Sequence, residues 1–338
     1  MNKDIYIPDS LWHEIDATDE PAFENSWVNY GGGTYDTAAF RIDAEGWVHL
    51  KGLIKSGTSA TTAFTLPEGY RPPTATGISP DRHGVTMNEG TNPSFVKITQ
   101  AGEVSVTTVA GTTNWASLSG IQFPVGPREG WDRRNLTGVS IDADANSEVP
   151  HMIRRRNGFT VLNGVVDAEP AGTIPFLGDL QPDYSINFPI RDSTSTAKRA
   201  RISRRLGYAP VGATTNYGIL DVEWGLPENE HKWIDATMLN SWVAYGQTAN
   251  DLYLTGQYMK DEFGFVHLRG FIKSGSSATA TMFTLPEGYR PAMRQIFSTW
   301  SQAGLCRMDV RSTGTVSAIA GGSTSWCDIS NIHFYAEG

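Results

Sequence analysis

Cysteine is nearly absent from the 338-residue sequence, which contains only Cys306 and Cys327. Secreted proteins that depend on disulfides commonly carry more, so we expect the chain to fold and assemble in a reducing compartment. The two cysteines can pair only if their strands are neighbours. The sequence leaves their pairing open.

Positive charge is also scarce, with 27 Lys and Arg against 36 Asp and Glu and a formal net charge of −9. Proteins that bind nucleic acids or anionic membranes usually carry a basic surface, so neither partner is expected. No apolar run is long enough to span a bilayer. The start, MNKDIYIPDS, lacks the apolar segment of a secretory signal.

Helical periodicity is missing over any useful length, whereas 35 Gly and 18 Pro provide frequent turn signals. Apolar residues alternate instead, as in Trp47 to Ile54, Val104 to Val106 and Ile121 to Phe123. Such alternation is typical of strands with one buried face, and turn clusters about every 8–12 residues are typical of sandwiches and jelly rolls. The sequence therefore predicts an all-β protein.

Recognisable catalytic motifs are also lacking. The chain has no Ser-His-Asp set in a nucleophile context, no CxxC or HExxH, and no phosphate-binding glycine loop after a strand. His49 and His267 share one strand position, where the middle of the chain has Val161, which indicates a structural role. We expect a protein that is not an enzyme and that needs no cofactor.

One acidic stretch has part of the pattern of a calcium loop. Asp142, Asp144 and Asn146 follow the D-x-D-x-N spacing. However, Ser147 and Ile153 occupy the positions where such a loop needs a glycine and a bidentate glutamate. We therefore interpret this stretch as a solvated linker between domains and expect no metal site.

The strongest signal in the sequence is an internal repeat. Residues 46–52 read GWVHLKG and residues 264–270 read GFVHLRG, and LPEGYRP occurs at both 66–72 and 285–291. Repeats of this kind indicate that one structural unit occurs more than once along the chain. The first and last thirds of the sequence are therefore two copies of one domain.

The distance between these copies leaves room for a third. Residues 158–164, GFTVLNG, repeat the pattern more weakly, with Gly158 lying 112 residues after Gly46 and 106 before Gly264. We expect three tandem β-sandwich, jelly-roll-like domains after an N-terminal segment. The predicted boundaries are 1–10 for that segment and 11–128, 129–229 and 230–338 for the domains.

Tryptophans recur at equivalent positions of the repeat, and large aromatic residues dominate the cores of sandwiches. We therefore expect core positions for Trp27, Trp47, Trp115, Trp242 and Trp326. Two further tryptophans lie near the predicted boundaries and are expected to wedge adjacent domains together, namely Trp131 and Trp233.

The order of the motifs resembles a module of tail-fibre, receptor-binding and minor structural proteins of tailed bacteriophages. The first copy has Trp27, then G-x-V-x-L-x-G at 46–52, LP-x-GYRP at 66–72 and W-x-x-L-x-G-I-x-F at 115–123. The last copy keeps these motifs with a looser ending, and the middle copy resembles the module weakly. Residues 73–95 of the first copy depart from the pattern and are interpreted as an inserted loop.

The resemblance implies a structural protein of a phage virion, in the tail tip or fibre or in a capsid-surface fibre, assembled in the host cytoplasm. Modules of this kind commonly form trimers, so a homotrimer is expected. Binding to a host receptor, such as a cell-surface glycan, and pure capsid decoration both stay open. The alternative is a bacterial carbohydrate-binding or adhesin array.

Candidate receptor-binding residues lie in the predicted loops of the last copy, because loops on a rigid sandwich are free to carry binding. They are Trp300, Gln302, Arg307, Ser323 and Trp326.

Two further sets of residues are candidates for assembly. The short apolar piece Ile5, Tyr6 and Ile7 is predicted to anchor the chain to other virion proteins by adding a strand to a neighbour's sheet. Arginine forks bind carboxylates and phosphates well, so two basic clusters are expected to contact an acidic neighbouring subunit, with host phosphate groups as the alternative. The clusters contain Arg154, Arg155, Arg156, Arg201, Arg204 and Arg205.

Overall fold

The structure is a computed structural model, and it describes residues 11–72, 82–108, 115–125, 132–133, 152–156, 159–166, 184–192, 197–203, 207–211, 217–225, 233–248 and 252–337. Antiparallel strands form the regular secondary structure of these residues. Within the same ranges, no helix is long and apolar enough to cross a membrane. The prediction of an all-β protein is confirmed.

The described residues between 11 and 125, which we call the first segment, fold into three sheets. One sheet has the order β1-β3-β4-β11, with β1 (His13–Glu14), β3 (Ala39–Ile42), β4 (Trp47–Lys51) and β11 (Ile121–Pro124). A second has the order β10-β5-β2, with β2 (Val28–Asn29), β5 (Leu53–Lys55) and β10 (Ala116–Ser117). A third has the order β6-β9-β8-β7, with β6 (Thr61–Thr65), β7 (Arg82–Met87), β8 (Pro93–Ile98) and β9 (Glu103–Thr108).

The described residues between 233 and 337, which we call the last segment, repeat this strand order. The four-stranded sheet β19-β21-β22-β29 contains β19 (Ile234–Asp235), β21 (Gln257–Lys260), β22 (Phe265–Arg269) and β29 (Ile332–Tyr335). The other sheet has the order β20-β23-β28-β25-β26-β27-β24, with β20 (Val243–Ala244), β23 (Phe271–Lys273), β24 (Phe283–Thr284), β25 (Gln295–Ser301), β26 (Gly304–Val310), β27 (Thr315–Ala320) and β28 (Cys327–Asp328). The duplicated sequence therefore gives a duplicated strand order, with one difference. In the last segment β25 pairs with β28 at Ser301↔Cys327, which joins into one sheet the strands that form two sheets in the first segment.

The described residues between 132 and 225, which we call the middle segment, form one seven-stranded sheet of order β12-β13-β14-β18-β15-β16-β17. Its strands are β12 (Asp132–Arg133), β13 (Met152–Arg156), β14 (Phe159–Val166), β15 (Ile186–Asp192), β16 (Ala197–Ser203), β17 (Gly207–Val211) and β18 (Tyr217–Gly225). The order of neighbouring strands is the same as in the other segments. The long strand β14 corresponds to β22 and β23 joined into one strand, and β18 corresponds to β28 and β29 joined in the same way. The division into three sandwich domains with the given boundaries stays a prediction.

In the first segment, one glycine marks the place where the chain passes from the sheet that contains β4 to the sheet that contains β5. Gly52 has φ +106 and lies between β4 and β5, and a Cβ there would lie 2.3 Å from the carbonyl oxygen of Thr37. Gly270 has the same role between β22 and β23, where a Cβ would lie 2.4 Å from the carbonyl oxygen of Thr255. In the middle segment the chain passes Gly164 within one strand, with only a shift of register between Leu162 and Gly164.

Each of the outer segments has its own hydrophobic core. Trp27 and Trp242 are the largest side chains in these cores, and Gly57 and Gly275 make room for their indoles, since a Cβ at either glycine would overlap the ring. Trp47, Trp115 and Trp326 are also buried, but they lie outside these two clusters. The expected burial is therefore confirmed for all five tryptophans: Trp27 and Trp242 lie in the cores of their own segments, and Trp115 lies in a separate buried cluster with Ile296 and Leu305 of the last segment.

The interpretation of residues 73–95 as an inserted loop is wrong for its described part. Residues 82–87 form β7, which pairs with β8 from Arg82↔Ile98 to Met87↔Pro93. The same hairpin occurs in the last segment as β25 and β26. Residues 73–81 lie outside the described residues.

Candidate functional site in the buried interface between segments

The strands β3, β4 and β11 of the first segment, and β22 and β29 of the last segment, are buried on both faces over most of their length. In β4, Val48 and Leu50 point into the core of the first segment, while Trp47, His49 and Lys51 point the other way and are buried as well. A two-layer sandwich alone would leave that outer face in solvent. Polar side chains on the outer faces are therefore covered by neighbouring segments, and they form the most unusual surface of the molecule.

An aspartate and a histidine pair within each outer segment. His49 Nε2 lies 2.8 Å from Asp43 Oδ2, and His267 Nε2 lies 3.0 Å from Asp261 Oδ2. The other oxygen of Asp43 accepts the backbone N–H groups of Glu45 and Trp47, which closes the turn before β4. The aspartate thus fixes both the hairpin turn and the direction of the imidazole ring.

Both histidines then stack on an aromatic ring of another segment. His49 lies on Phe265 of the last segment, with ring centroids 3.9 Å apart, and His267 lies on Phe159 of the middle segment at 4.4 Å. Phe265 and Phe159 each occupy the first position of the strand that corresponds to β4. The third position of that strand in the middle segment is Val161, which is fully buried.

A third histidine lies beside this pair. The ring of His333, on β29, has its centroid 6.5 Å from that of His49 and 6.2 Å from that of His267. The equivalent residue of the first segment is Gln122, which is also fully buried. His333 thus lies near both of the other rings, yet the described residues contain no group of three or more His, Cys, Asp or Glu that could hold a metal ion.

Backbone hydrogen bonds join the segments at matching places. Arg294, which precedes β25, donates its N–H to the carbonyl oxygen of Thr34 at 3.1 Å. Ser185, which precedes β15, donates in the same way to Leu252 at 3.0 Å. Thr34 and Leu252 each lie five residues before a corresponding strand, β3 and β21.

Side chains on β10 and β28 bind the backbone of the neighbouring segment. Ser117 Oγ donates to the carbonyl oxygen of Ile296 at 2.7 Å. Asp328 Oδ2 accepts the backbone N–H of Asn187 at 2.6 Å and its side-chain amide at 3.1 Å. Asp328 is completely buried, and this burial raises its pKa to about 6.

Two arginines lie over the tryptophans that precede β10 and β28. The guanidinium of Arg307 lies 4.9 Å from the ring centroid of Trp115, and that of Arg199 lies 5.5 Å from that of Trp326. Arg307 is held by a fork to Asp309, with distances of 2.8 and 2.9 Å. Cation–aromatic contacts of this kind contribute about 0.5–2 kcal/mol each, depending on desolvation.

The first and last segments also meet at a mixed polar and aromatic contact. Lys51 Nζ lies 2.7 Å from Glu337 and 3.3 Å from Asp36, and burial raises the pKa of Asp36. Arg41, which is 4% exposed, has its guanidinium 4.0 Å from the ring of Tyr335. The C-terminal end of the described chain is therefore held against the first segment.

Three equivalent strands meet at the centre, because β7, β15 and β25 contact one another in each combination. A cavity of about 40 Å³ lies there, which is enough for a few water molecules. Its walls come from all three segments, with Val85, Thr86, Ser119, Gly120, Ile121, Pro189, Val222, Phe297, Ser298 and Asn331.

The residues predicted to bind a receptor lie close to these contacts. Trp300 and Arg307 are on strands β25 and β26 and not in a free loop, and Trp300 packs on a buried cluster that includes Trp115. Trp326 is buried, stacks on Phe271 and donates its indole N–H to the exposed Gln302. Ser323 lies in the adjacent loop, where its hydroxyl accepts the N–H of Ser325.

Most of the residues predicted for assembly, for the linker and for wedging between domains lie outside the described part of the chain. Ile5, Tyr6, Ile7, Arg204, Arg205, Trp131 and the 142–148 stretch lie outside the described residues, as do the side chains of Arg154, Arg155 and Arg156. Arg201 is half-buried on β16. Trp233 packs edge-on against Phe159 of the middle segment, as expected for a residue that wedges two segments together.

Cys306 and Cys327 are both free and buried in the core of the last segment. They lie on the two strands that flank β25, opposite Thr299 and Ser301. The hydrogen bond to Cys327 and the burial of the thiol raise the pKa of Cys306.

Comparison with protein-family models, with curated proteins and with solved structures finds no match to this chain.

Proposed function

We propose that the chain is a structural protein of a tailed-phage virion, in the tail tip or fibre or in a capsid-surface fibre. The observation that carries the proposal is the way in which the duplicated modules pack. Their outer faces, which include His49, Lys51 and His267, are buried against one another and against the middle segment. A mechanical component of a particle needs this type of rigid unit.

The same packing argues against an array of carbohydrate-binding modules. Modules in such an array work separately, and their interfaces are usually small and polar. Here the buried aromatic residues Trp115, Phe265 and Phe159 pack against side chains of another segment. The segments are thus parts of one unit, which suits a scaffold better than a string of independent binders.

Catalysis has no part in the proposal. The histidines at the interface have their rings packed against Phe265 and Phe159, and their Nε2 atoms face Asp43 and Asp261. This arrangement holds the rings between segments, whereas a catalytic base needs access to a substrate. The role that the geometry favours for them is structural.

The experiment is to isolate particles from cells that make this protein and to identify the proteins of the purified virion by mass spectrometry. Gold-labelled antibodies against the chain, viewed by electron microscopy, then distinguish a tail position from a capsid position. We expect the chain in the particle at a fixed copy number. Its absence from particles that carry all other structural proteins would refute the proposal.

A second arm separates receptor binding from decoration. Antibody fragments against the last segment are added to particles before they are mixed with host cells. Loss of adsorption indicates receptor binding, and unchanged adsorption indicates decoration, while fragments against an unrelated virion protein serve as the control.

A further inference from the structure

Two interfaces between segments are built from the same contacts. Thr34 binds Arg294, Ser117 binds Ile296, Trp115 lies under Arg307 and His49 stacks on Phe265, all from the first segment to the last. From the last segment to the middle one, the equivalent pairs are Leu252 with Ser185, Asp328 with Asn187, Trp326 with Arg199 and His267 with Phe159. One contact pattern is therefore used twice, in a fixed direction.

A third contact, from the middle segment to the first, closes the series. At the interface of the first segment with the last, β10 contacts β25. At the interface of the last segment with the middle one, β28 contacts β15. The corresponding strand of the middle segment, β18, contacts β7 of the first segment. Since β7, β15 and β25 are equivalent strands and touch one another, the three contacts close a cycle.

We infer that the chain is a single-chain pseudotrimer, in which three modules surround a pseudo-threefold axis that passes between β7, β15 and β25 and near His49, His267 and His333. The inference depends on the contacts alone and not on the proposed virion role. Closed cyclic contacts use up the surfaces that make them. One chain therefore replaces three subunits, and it works as a monomer where single-module chains would need a homotrimer.

The position of the chain ends fits this closure. Trp12 lies edge-on against Tyr335, with centroids 6.4 Å apart, and Lys51 binds Glu337. The interface of the first and last segments is thus the only one of the three that no covalent connection bridges. Lys51, Asp36 and Arg41 give it a polar and cation–aromatic contact of its own.

The first test is the mass and the cooperativity of the purified full chain. Light scattering at micromolar concentration is expected to give 36.9 kDa, the mass of one chain. Calorimetry is expected to show one unfolding transition, because each segment is stabilised by both of its neighbours. A particle of three chains, or separate transitions for the segments, would overturn the inference.

The second test is a circular permutant. Glu337 is joined to Leu11 by a short Gly-Ser linker, and the new ends are placed between Val125 and Asp132. Because a pseudotrimer has three similar interfaces, we expect the permutant to fold as a monomer with a melting temperature within a few degrees of the control. The control is the chain in its natural order without residues 1–10.

A variant of the chain in its natural order provides a second test if the circular permutant folds poorly. Arg41→Ala removes the cation that lies among Trp12, Phe265 and Tyr335, at the interface between the first and last segments that no covalent connection bridges. In the natural order this interface closes only by contacts, so the variant should melt at a lower temperature and still in one transition. A change that melts the first segment alone, or a permutant that fails to fold while its control folds, contradicts the closed cycle.

Discussion

The imidazole of His49 stacks on the ring of Phe265, at a centroid distance of 3.9 Å, although His49 belongs to the first segment and Phe265 to the last. Both side chains are almost completely buried. A stacked pair contributes about 0.5–1.5 kcal/mol beyond the area that it buries. The pair therefore links the stability of the first segment to that of the last.

Phe265→Ala removes this stack and leaves a hole between the segments, so we expect the free energy of unfolding to fall by about 3–5 kcal/mol. Phe263→Ala is the matched control, since Phe263 belongs to the same hairpin turn and is only partly buried. Urea titration of both variants measures the difference. Equal losses in the two variants would show that Phe265 has no special role in the interface.

His49→Val places at this position the residue that the middle segment carries as Val161. The shape is acceptable, but Asp43, which is 2% exposed, loses the imidazole. We expect a loss of about 1–3 kcal/mol from the buried carboxylate. The double variant Asp43→Asn with His49→Val should recover part of this loss, and a double variant that is less stable than His49→Val argues against the pair as the cause.

The sequence was sufficient for the strand positions and for the duplication. The GWVHLKG repeat predicted β4 and β22, and the structure has both, with the same neighbours. Alternation also predicted one buried and one exposed face, and this was wrong for β4, where His49 and Lys51 are buried. The burial of that outer face depends on the other segments, and a strand pattern contains no information about such distant partners.

One signal in the sequence could have indicated the interface. A histidine recurs at the same outward position, as His49 and His267, each with an aspartate six residues earlier. A solvent-exposed position does not need such a repeated pair. The cation–aromatic contacts of Arg199 and Arg307 could not be foreseen, because they join segments that lie far apart in the sequence.

Asp328 should make stability depend on pH. Its pKa is raised by burial to about 6, against an ordinary value of 3.8, so between about pH 4 and pH 6 the folded protein keeps a proton that the unfolded chain has lost. The contribution of this group therefore falls as pH rises through that window, by about 3 kcal/mol in all. Asp328→Asn cannot titrate, and urea titrations at about pH 4 and about pH 7 should show a weaker dependence for the variant than for the native chain. The same dependence in both would contradict the assignment.

The two thiols should be inert in the folded protein. Cys306 and Cys327 are fully buried, so a reagent cannot reach either sulfur. The hydrogen bond between the two thiols raises the pKa of Cys306 and lowers the pKa of Cys327, so the burial, and not the pKa, is what protects both. We expect no reaction with a thiol reagent over hours under native conditions and two equivalents in denaturant. Cys306→Ala and Cys327→Ala identify the reacting thiol if one of them is modified, and rapid labelling of the folded chain would contradict the burial.

Arg307 distinguishes a structural role from a receptor-binding role for the β25–β26 hairpin. Its guanidinium forks onto Asp309, which is completely buried, and lies over Trp115 of the first segment. Arg307→Ala leaves this carboxylate with Arg294 as its remaining arginine, so we expect the free energy of unfolding to fall by about 3 kcal/mol. Arg311→Ala, in the exposed turn that follows β26, should have almost no effect.

The same two variants test the predicted receptor site when they are built into particles. If Arg307 acts through the interface, adsorption at a temperature where both variants are folded should be unchanged, and the loss should appear only on heating. Adsorption that falls in Arg307→Ala without any change in unfolding would instead assign the arginine to the receptor. Since the guanidinium of Arg307 already binds the carboxylate of Asp309 and packs on the ring of Trp115, we expect adsorption to be unchanged.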